Sequence, residues 1–263
     1  MTQNEVAQKL GVSFQAVSLW ERGETSPDIE KLKELANVYQ VSVDWLLTGT
    51  AKENLMIDFQ DTLSDLLFDE SRMYTYVKTY ALAHHMDQTV QVLPYVRAMH
   101  EGQFRKGKDH VPYIYHPLLI ACHALALGLD EDDLISTALL HDVCEDCGVE
   151  PDDLPVNENT RQAVLLLTNQ GGKGDEALEP YFEGIASNRI ATMVKVLDRC
   201  NNVSGMAAAF SQEKMAAYIR ETEKWVYPLL RQAKERYPMY SDQLFLIKYH
   251  MTSVVETIRH LFS

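Results

Sequence analysis

Apolar residues recur along this chain at i, i+3 and i+4, while strict alternation of apolar and polar residues is rare. The first spacing loads one face of an α-helix and the second one face of a strand, so the chain reads as all-α. Prolines at 27, 94, 112, 117, 151, 155, 180, 228 and 238 punctuate the pattern, with no internal repeat and no low-complexity tract.

Residues 1–50 read as a small separate segment. A first helix is predicted from Thr2 to Leu10, with Thr2 as N-cap and Glu5 three residues on closing a capping box. Gly11 supplies a sharp turn, and Ser13 caps a second helix running to about Glu21 and stopped by Arg22-Gly23. Ser26-Pro27-Asp28 starts a third, with Ile29, Leu32, Leu35, Ala36 and Tyr39 as its apolar positions. A last short helix over Val41–Leu47 closes at Gly49.

Residues 51–86 read as linker and connecting helices: the polar Thr48–Asn54 stretch comes first, then a helix with Phe59, Leu63, Leu66 and Leu67 on one face. Asp87 is the expected cap of the next helix, and Pro94 is expected to start or kink it. Residues 87–263 read as one helical domain.

Composition narrows the function classes. The 263 residues are 46% hydrophobic, enough for a sizeable core, and the formal net charge is −14. A nucleic-acid binder usually carries a basic face, so DNA is not the expected main partner of the whole chain. No apolar run is long enough to span a bilayer and no export signal is evident, which predicts a cytoplasmic protein without a membrane partner. The four cysteines (Cys122, Cys144, Cys147 and Cys200) make no disulfide framework and are expected to be reduced. The Cys144-x-x-Cys147 pair lacks a second matched pair, so small buried hydrophobes are expected there rather than a zinc site.

Candidate chemistry lies in three stretches: HEGQFRKGKDHVPYIYHPLLIACHAL from His100, ALLHDVCED from Ala138, and MVKVLDRCNN from Met193. They hold His116, the dipeptide His141-Asp142, and Asp198 in order. Imidazole nitrogen with carboxylate oxygen suits a divalent ion that keeps open positions for water. His141-Asp142 alone is a weak signal; the ordered set is a strong one. On a continuous helix His141 and Glu145, and likewise Asp142 and Asp146, stand at i, i+4, which places two further carboxylates one turn from the ligands, where they can orient a water or take its proton. The remaining histidines are expected to be non-ligands, with His100 and His123 the nearest to the site.

Two family resemblances attach to these residues. TQNEVAQKLGVSFQAVSLWERGETSPDIEKLKELANVYQVSVDWLLTG resembles the Cro/repressor type of helix-turn-helix. That resemblance implies a second helix that enters the major groove, presenting Ser13, Phe14, Gln15, Ser18 and Leu19, with Gln15 able to read adenine. The family pattern has one more helix ahead of the TQ, so the segment is expected to lack its first helix. Residues 1–50 also hold seven acidic residues against four basic ones. A dimerisation or docking module is therefore weighed equally with DNA binding, and a homodimer is expected.

Over roughly residues 88 to 230, the RK-x(5)-PYIYHP, LLHDVCED, VKVLDRCNN and YIRETEKWVYPLL elements resemble the HD-type hydrolase domain of the bifunctional alarmone synthetase/hydrolases and their small stand-alone relatives. The resemblance implies an HD-type helical bundle with Mn²⁺ held by His116, His141, Asp142 and Asp198, and with Glu145 and Asp146 as the catalytic acidic pair. It places Arg105 against guanine, Lys106 near the phosphates and Asn202 on the nucleotide. The implied reaction is removal of the 3′-pyrophosphate of guanosine 3′,5′-bis(diphosphate), giving GDP and pyrophosphate. Val203-Ser204-Gly205 replaces an Arg-Thr common in the family, and Arg105 stands further from His116 than usual. Both departures touch the nucleotide pocket rather than the metal. Two alternatives stay open: an HD phosphohydrolase of another nucleotide, and a DNA-binding regulator whose HD domain senses a nucleotide.

Overall fold

The structure is a computed structural model and describes residues 1–39, 41, 43, 46, 69–105, 111–169, 172 and 174–262. The elements among the described residues are helical, and the only β pairing among them is an isolated antiparallel bridge between Phe104 and Pro112. The backbone divides into two compact units, Met1–Thr62 and Leu63–Ser263.

The smaller unit contains α1 (Gln3–Leu10), α2 (Phe14–Glu21) and α3 (Ile29–Tyr39). The capping box forms: Thr2 Oγ1 accepts from the Glu5 amide at 3.4 Å, and Glu5 Oε2 accepts from the Thr2 amide at 2.6 Å. Gly11 takes the left-handed φ of 63° that ends α1, and Ser13 caps α2 through the Ala16 amide. Val6, Ala7, Leu10, Val17 and Leu35 make the core. Ile29 and Tyr39, expected on the apolar face of α3, are exposed instead; Leu35 and Ala36 are its buried residues, because the helix meets its neighbours only over its middle turns. The expected helix over Val41–Leu47 and the apolar face from Phe59 to Leu67 fall largely or wholly outside the described residues.

Among the described residues the first element of the larger unit is α4 (Glu70–Ala83), which does more than connect: it adds Met73, Val77 and Ala81 to the core. Next come α5 (Asp87–Met99), α6 (Tyr115–Ala126), α7 (Asp132–Leu140) and the short α8 (Val143–Cys147). Beyond them lie α9 (Glu158–Leu167), α10 (Asp175–Ser187), α11 (Arg189–Ala209), α12 (Gln212–Glu221), α13 (Tyr227–Arg236) and α14 (Ser241–Leu261). A five-residue π-helix, Thr222–Val226, joins α12 to α13.

The organising element is α7. Every residue from Leu134 to Leu140 is buried, as expected of a helix packed on all sides, here by α5, α6, α9 and α11. Its buried hydroxyls are satisfied: Thr137 donates to the Asp133 carbonyl at 2.7 Å, and Ser136 lies 3.1 Å from Thr89 Oγ1. The first turn of α7 also finishes α5. Asp87 lies inside α5 and does not cap it; Asp132 reaches across to accept from the amides of Gln88 (3.0 Å) and Thr89 (2.8 Å). The N-terminal amides of α5 thus take their partner from another helix, and α5 runs through Pro94 instead of starting there.

Candidate metal centre

Three chain segments converge. His116 stands in the first turn of α6 and Asp198 in the middle of α11, while His141 and Asp142 form a two-residue joint between α7 and α8. Helix α7 stops at Leu140 and α8 restarts at Val143, so the expected single helix through the HD dipeptide is broken there. In an unbroken helix neighbouring side chains diverge by roughly 100° about the axis. The joint lets both point to one place. The i, i+4 relation partly survives it: the Asp146 amide donates to the Asp142 carbonyl at 2.9 Å.

Donor atoms, one each from His116, His141 and Asp142, lie within 4.8 Å of one another. Asp198 Oδ1 adjoins this triad, 3.2 Å from His116 Nε2 and 3.8 Å from His141 Nε2. Asp142 Oδ2 is 3.0 Å from His141 Nε2 and 3.7 Å from His116 Nε2. His116, His141 and Asp198 are buried and Asp142 is half-buried.

The outer nitrogen of each ring is engaged. His141 Nδ1 lies 2.8 Å from the Ala138 carbonyl, which can only accept, so Nδ1 carries a hydrogen and, in the neutral ring that a metal would bind, Nε2 keeps the lone pair. His116 Nδ1 lies 2.6 Å from Asn201 Oδ1. His141 Nε2 is buried and, among the described residues, is left without a hydrogen-bond partner, with Asp142 Oδ2 3.0 Å away. Lone pairs aimed at a common point and not at hydrogens are what a cation needs. Two nitrogens and two carboxylates therefore fit a borderline divalent ion.

Electrostatics agree with the geometry. Burial alone would lower the His141 pKa, but the Asp142 and Asp198 carboxylates outweigh it and push it up to about 9. Burial would raise both carboxyls; His141 outweighs it at Asp142, and Lys195 with His116 at Asp198, so both are held well below the usual range. The cluster attracts positive charge.

The other expected residues divide. Asn202 joins the cluster, donating through Nδ2 to Asp198 Oδ1 at 2.6 Å. Arg105 follows Phe104, which bridges to Pro112, and its Nη2 donates to Asn202 Oδ1 at 2.7 Å. Lys106 lies outside the described residues. Glu145 accepts a hydrogen bond from the Asn169 amide and, with Asp146, Glu150 and Thr168, lines a cleft of roughly 420 Å³. Burial, opposed by that amide, leaves the Glu145 carboxyl raised above its ordinary value.

Three further residues stand about the cluster outside the expected site set, Lys195 among them as a buried partner of Asp198 where sequence reasoning allowed only a solvated pair. Asn201 contacts His116, Lys195 Nζ lies 3.3 Å from Asp198 Oδ2, and Tyr113 donates to Asp142 Oδ2 at 2.7 Å. The only hints in the sequence are Asn201's place beside Asn202, Lys195's i, i+3 relation to Asp198, and Tyr113's place in PYIYHP. Of the histidines expected not to be ligands, His100 stacks on Tyr113 with ring centroids 4.7 Å apart. All four cysteines are free; Cys147 donates to the Met99 carbonyl at 3.4 Å, and burial pushes the Cys200 thiol up to about 12.

Comparison with known proteins returns the same two resemblances. Residues 1–46 match the helix-turn-helix family model. The chain is 30% identical over 153 residues to a guanosine-3′,5′-bis(diphosphate) 3′-pyrophosphohydrolase of Aquifex aeolicus, covering 55% of this chain and 21% of that protein. A protein of the same name from Vibrio cholerae is 41% identical over 70 residues, covering 27% of this chain and 10% of its own length. An HTH-type transcriptional regulator of Bacillus subtilis is 36% identical over 69 residues, covering 26% of this chain and 57% of the regulator. The chain thus spans about a fifth or less of the hydrolase-named relatives. Among solved structures, a metazoan ortholog of SpoT described as hydrolysing ppGpp aligns with a TM-score of 0.48 at 19% identity, covering 67% of this chain and 96% of its own. No helix among the described residues is long and apolar enough to cross a membrane.

Proposed function

We propose that the chain is a metal-dependent pyrophosphohydrolase that removes the 3′-pyrophosphate of guanosine 3′,5′-bis(diphosphate), giving GDP and pyrophosphate. The observation that carries the metal-dependent part is the convergence of His116, His141, Asp142 and Asp198, with the buried His141 Nε2 left without a hydrogen-bond partner among the described residues. The substrate is supported by the motif resemblance and by the names of the relatives.

His116, His141, Asp142 and Asp198 would hold the ion, with Mn²⁺ the expected one. A divalent cation there supplies Lewis acidity and stabilises negative charge developing on phosphate oxygen. Glu145 acts as the base that takes a proton from water, its raised pKa bringing it nearer to the working range. Asp146, on the same short helix, orients that water. In the hydrolysis the water oxygen joins phosphorus, the bond from phosphorus to the ribose 3′ oxygen breaks, and that oxygen takes up a proton. Arg105, Lys106 and Asn202 bind the nucleotide. For Arg105 this means exchanging its bond to Asn202 for the guanine.

We further assign residues 1–50 to a helix-turn-helix module and 87–263 to the hydrolase domain, with α4 of the intervening 51–86 stretch packed into that domain's core, in a cytoplasmic homodimer that does not bind DNA tightly. The test of the reaction is purified protein with Mn²⁺ against a panel of nucleotides, scored for pyrophosphate and phosphate. GDP and pyrophosphate from the tetraphosphate are expected. Turnover of other nucleotides, with none of the tetraphosphate or pentaphosphate, would overturn the substrate and leave metal-dependent hydrolysis standing. No turnover of any nucleotide would overturn the enzyme in favour of a nucleotide sensor.

A further inference from the structure

We propose that Asn201 is a positioning residue of the metal centre: its Oδ1 fixes His116 in the tautomer whose hydrogen sits on Nδ1 and so keeps the Nε2 lone pair for the ion. The inference rests on reading the His–Asp cluster as a metal site. It concerns a residue outside the set that the motif resemblance supplies, which passes over Asn201 for Asn202.

Taken alone, a histidine beside an asparagine is ambiguous twice over. The amide can present oxygen or nitrogen, and the imidazole can carry its hydrogen on either nitrogen. A third residue removes both ambiguities. Arg105 Nη1 lies 3.4 Å from the same Asn201 atom that His116 Nδ1 approaches at 2.6 Å. An arginine nitrogen only donates. The shared amide atom must therefore be the acceptor oxygen, which leaves His116 Nδ1 as the donor. In the neutral ring Nε2 is then bare, facing Asp198 Oδ1 at 3.2 Å and Asp142 Oδ2 at 3.7 Å.

The alternative tautomer shows what Asn201 prevents. With its hydrogen on Nε2, His116 would donate to Asp198, and the two ligands would satisfy each other across the site. Asn201 makes that state costly, because its oxygen would then face a second lone pair at 2.6 Å. Its place on α11 suits this role, since it follows Asp198 by three residues and the same helix carries both one ligand and the brace of the ligand opposite. His141 is braced by the backbone carbonyl of Ala138, which no side-chain substitution removes. The His116 brace is the one that mutation can reach.

The experiment is Mn²⁺ binding to the full chain, by calorimetry and electron paramagnetic resonance, for wild type, Asn201→Leu and Asn201→Asp. Leucine keeps the bulk and removes the acceptor; aspartate keeps an acceptor oxygen. Asn201→Leu is expected to weaken Mn²⁺ binding by ~10- to 100-fold, the usual effect of losing the partner of a ligating histidine, while Asn201→Asp stays close to wild type. Wild-type affinity in Asn201→Leu, or a loss in Asn201→Asp as large as in Asn201→Leu, would overturn the inference. A wild-type chain that binds no Mn²⁺ would instead overturn the metal reading beneath it. Should Asn201→Leu fail to fold, ¹⁵N NMR of the histidines in the metal-free wild type at alkaline pH decides the point. With His116 assigned through His116→Gln, a hydrogen on Nδ1 is expected, and one on Nε2 would overturn the inference.

Discussion

The two carboxylate oxygens of Asp198 face in different directions: Oδ1 lies 3.2 Å from His116 Nε2, and Oδ2 lies 3.3 Å from Lys195 Nζ. Oδ1, which already accepts from Asn202, thus keeps its other lone pair for an ion, while Oδ2 is neutralised from within α11. Lys195→Met keeps the length of the side chain and removes the charge. It is expected to cost on the order of 3 kcal/mol in the metal-free protein, because a buried carboxylate loses its partner. The loss should shrink with saturating Mn²⁺, whose charge takes over that role. Urea unfolding with and without Mn²⁺ measures both; equal losses would mean that Lys195 acts only through packing.

Metal binding and proton transfer are separable at Glu145. Glu145→Gln keeps the shape and the contact with the Asn169 amide but removes the base, so turnover should fall by ~100- to 10,000-fold with bound Mn²⁺ unchanged. Loss of manganese would make Glu145 a ligand, and near-normal turnover would make the pair structural. The wild-type pH profile follows from burial, which raises the Glu145 carboxyl above its ordinary 4.5. A base with a raised pKa stays protonated to higher pH, so activity should fall as pH drops through a value above 4.5, and that acid limb should vanish in Glu145→Gln.

Outside the candidate metal cluster, Glu131 pairs with Arg189 and also accepts from the Tyr240 hydroxyl. The Arg189 bond holds the Glu131 carboxyl below its ordinary 4.5. A depressed folded-state pKa contributes stability above the unfolded value and loses it as pH falls through the folded one. The pair is partly exposed, so Arg189→Met should cost about 1 kcal/mol or less near neutral pH. The difference from wild type in unfolding free energy should close as pH drops below 4.5; a gap independent of pH would assign the effect to lost packing.

The smaller unit is expected to bind DNA only weakly. Arg22, the single arginine of residues 1–50, is held by Glu24 at 2.6 Å and by Ser18 at 2.7 Å, and Phe14 stands exposed on α2, the helix that the family resemblance assigns to the major groove. With an excess of acidic residues around them, phosphate contacts are few, and binding should stay in the non-specific range of ~10⁻⁴ to 10⁻⁶ M. A footprint at nanomolar protein in physiological salt would refute this.

Much of the fold is legible in the sequence because helix periodicity and capping are local: Thr2, Glu5, Gly11 and Ser13 act as their sequence context predicts. Asp87 misleads for the converse reason. Its helix is finished by Asp132, forty-five positions along the chain, and no local pattern reports such a partner. The site divides in the same way. The order of His116, His141, Asp142 and Asp198 marks candidate donors, but Asn201, Lys195 and Tyr113 matter through which atom they turn to a neighbour, and spacing does not encode that. The break at His141-Asp142 is likewise hidden, since ALLHDVCED carries no proline or glycine before Gly148 to announce it.

That break reduces the number of supports. Because one dipeptide delivers two donors, four side chains hang from three points of the backbone, the fewest that locate a position in space. The helices beside those points, α6, α7 and α11, each pack against the other two and close a triangle. A triangle has no soft mode: sliding one edge displaces a corner. Leu118, Leu139 and Leu197, one on each helix and all fully buried, therefore act at a distance as gauges of donor spacing. Shaving any of them to alanine should register as a change in which ion the centre prefers as well as in melting temperature.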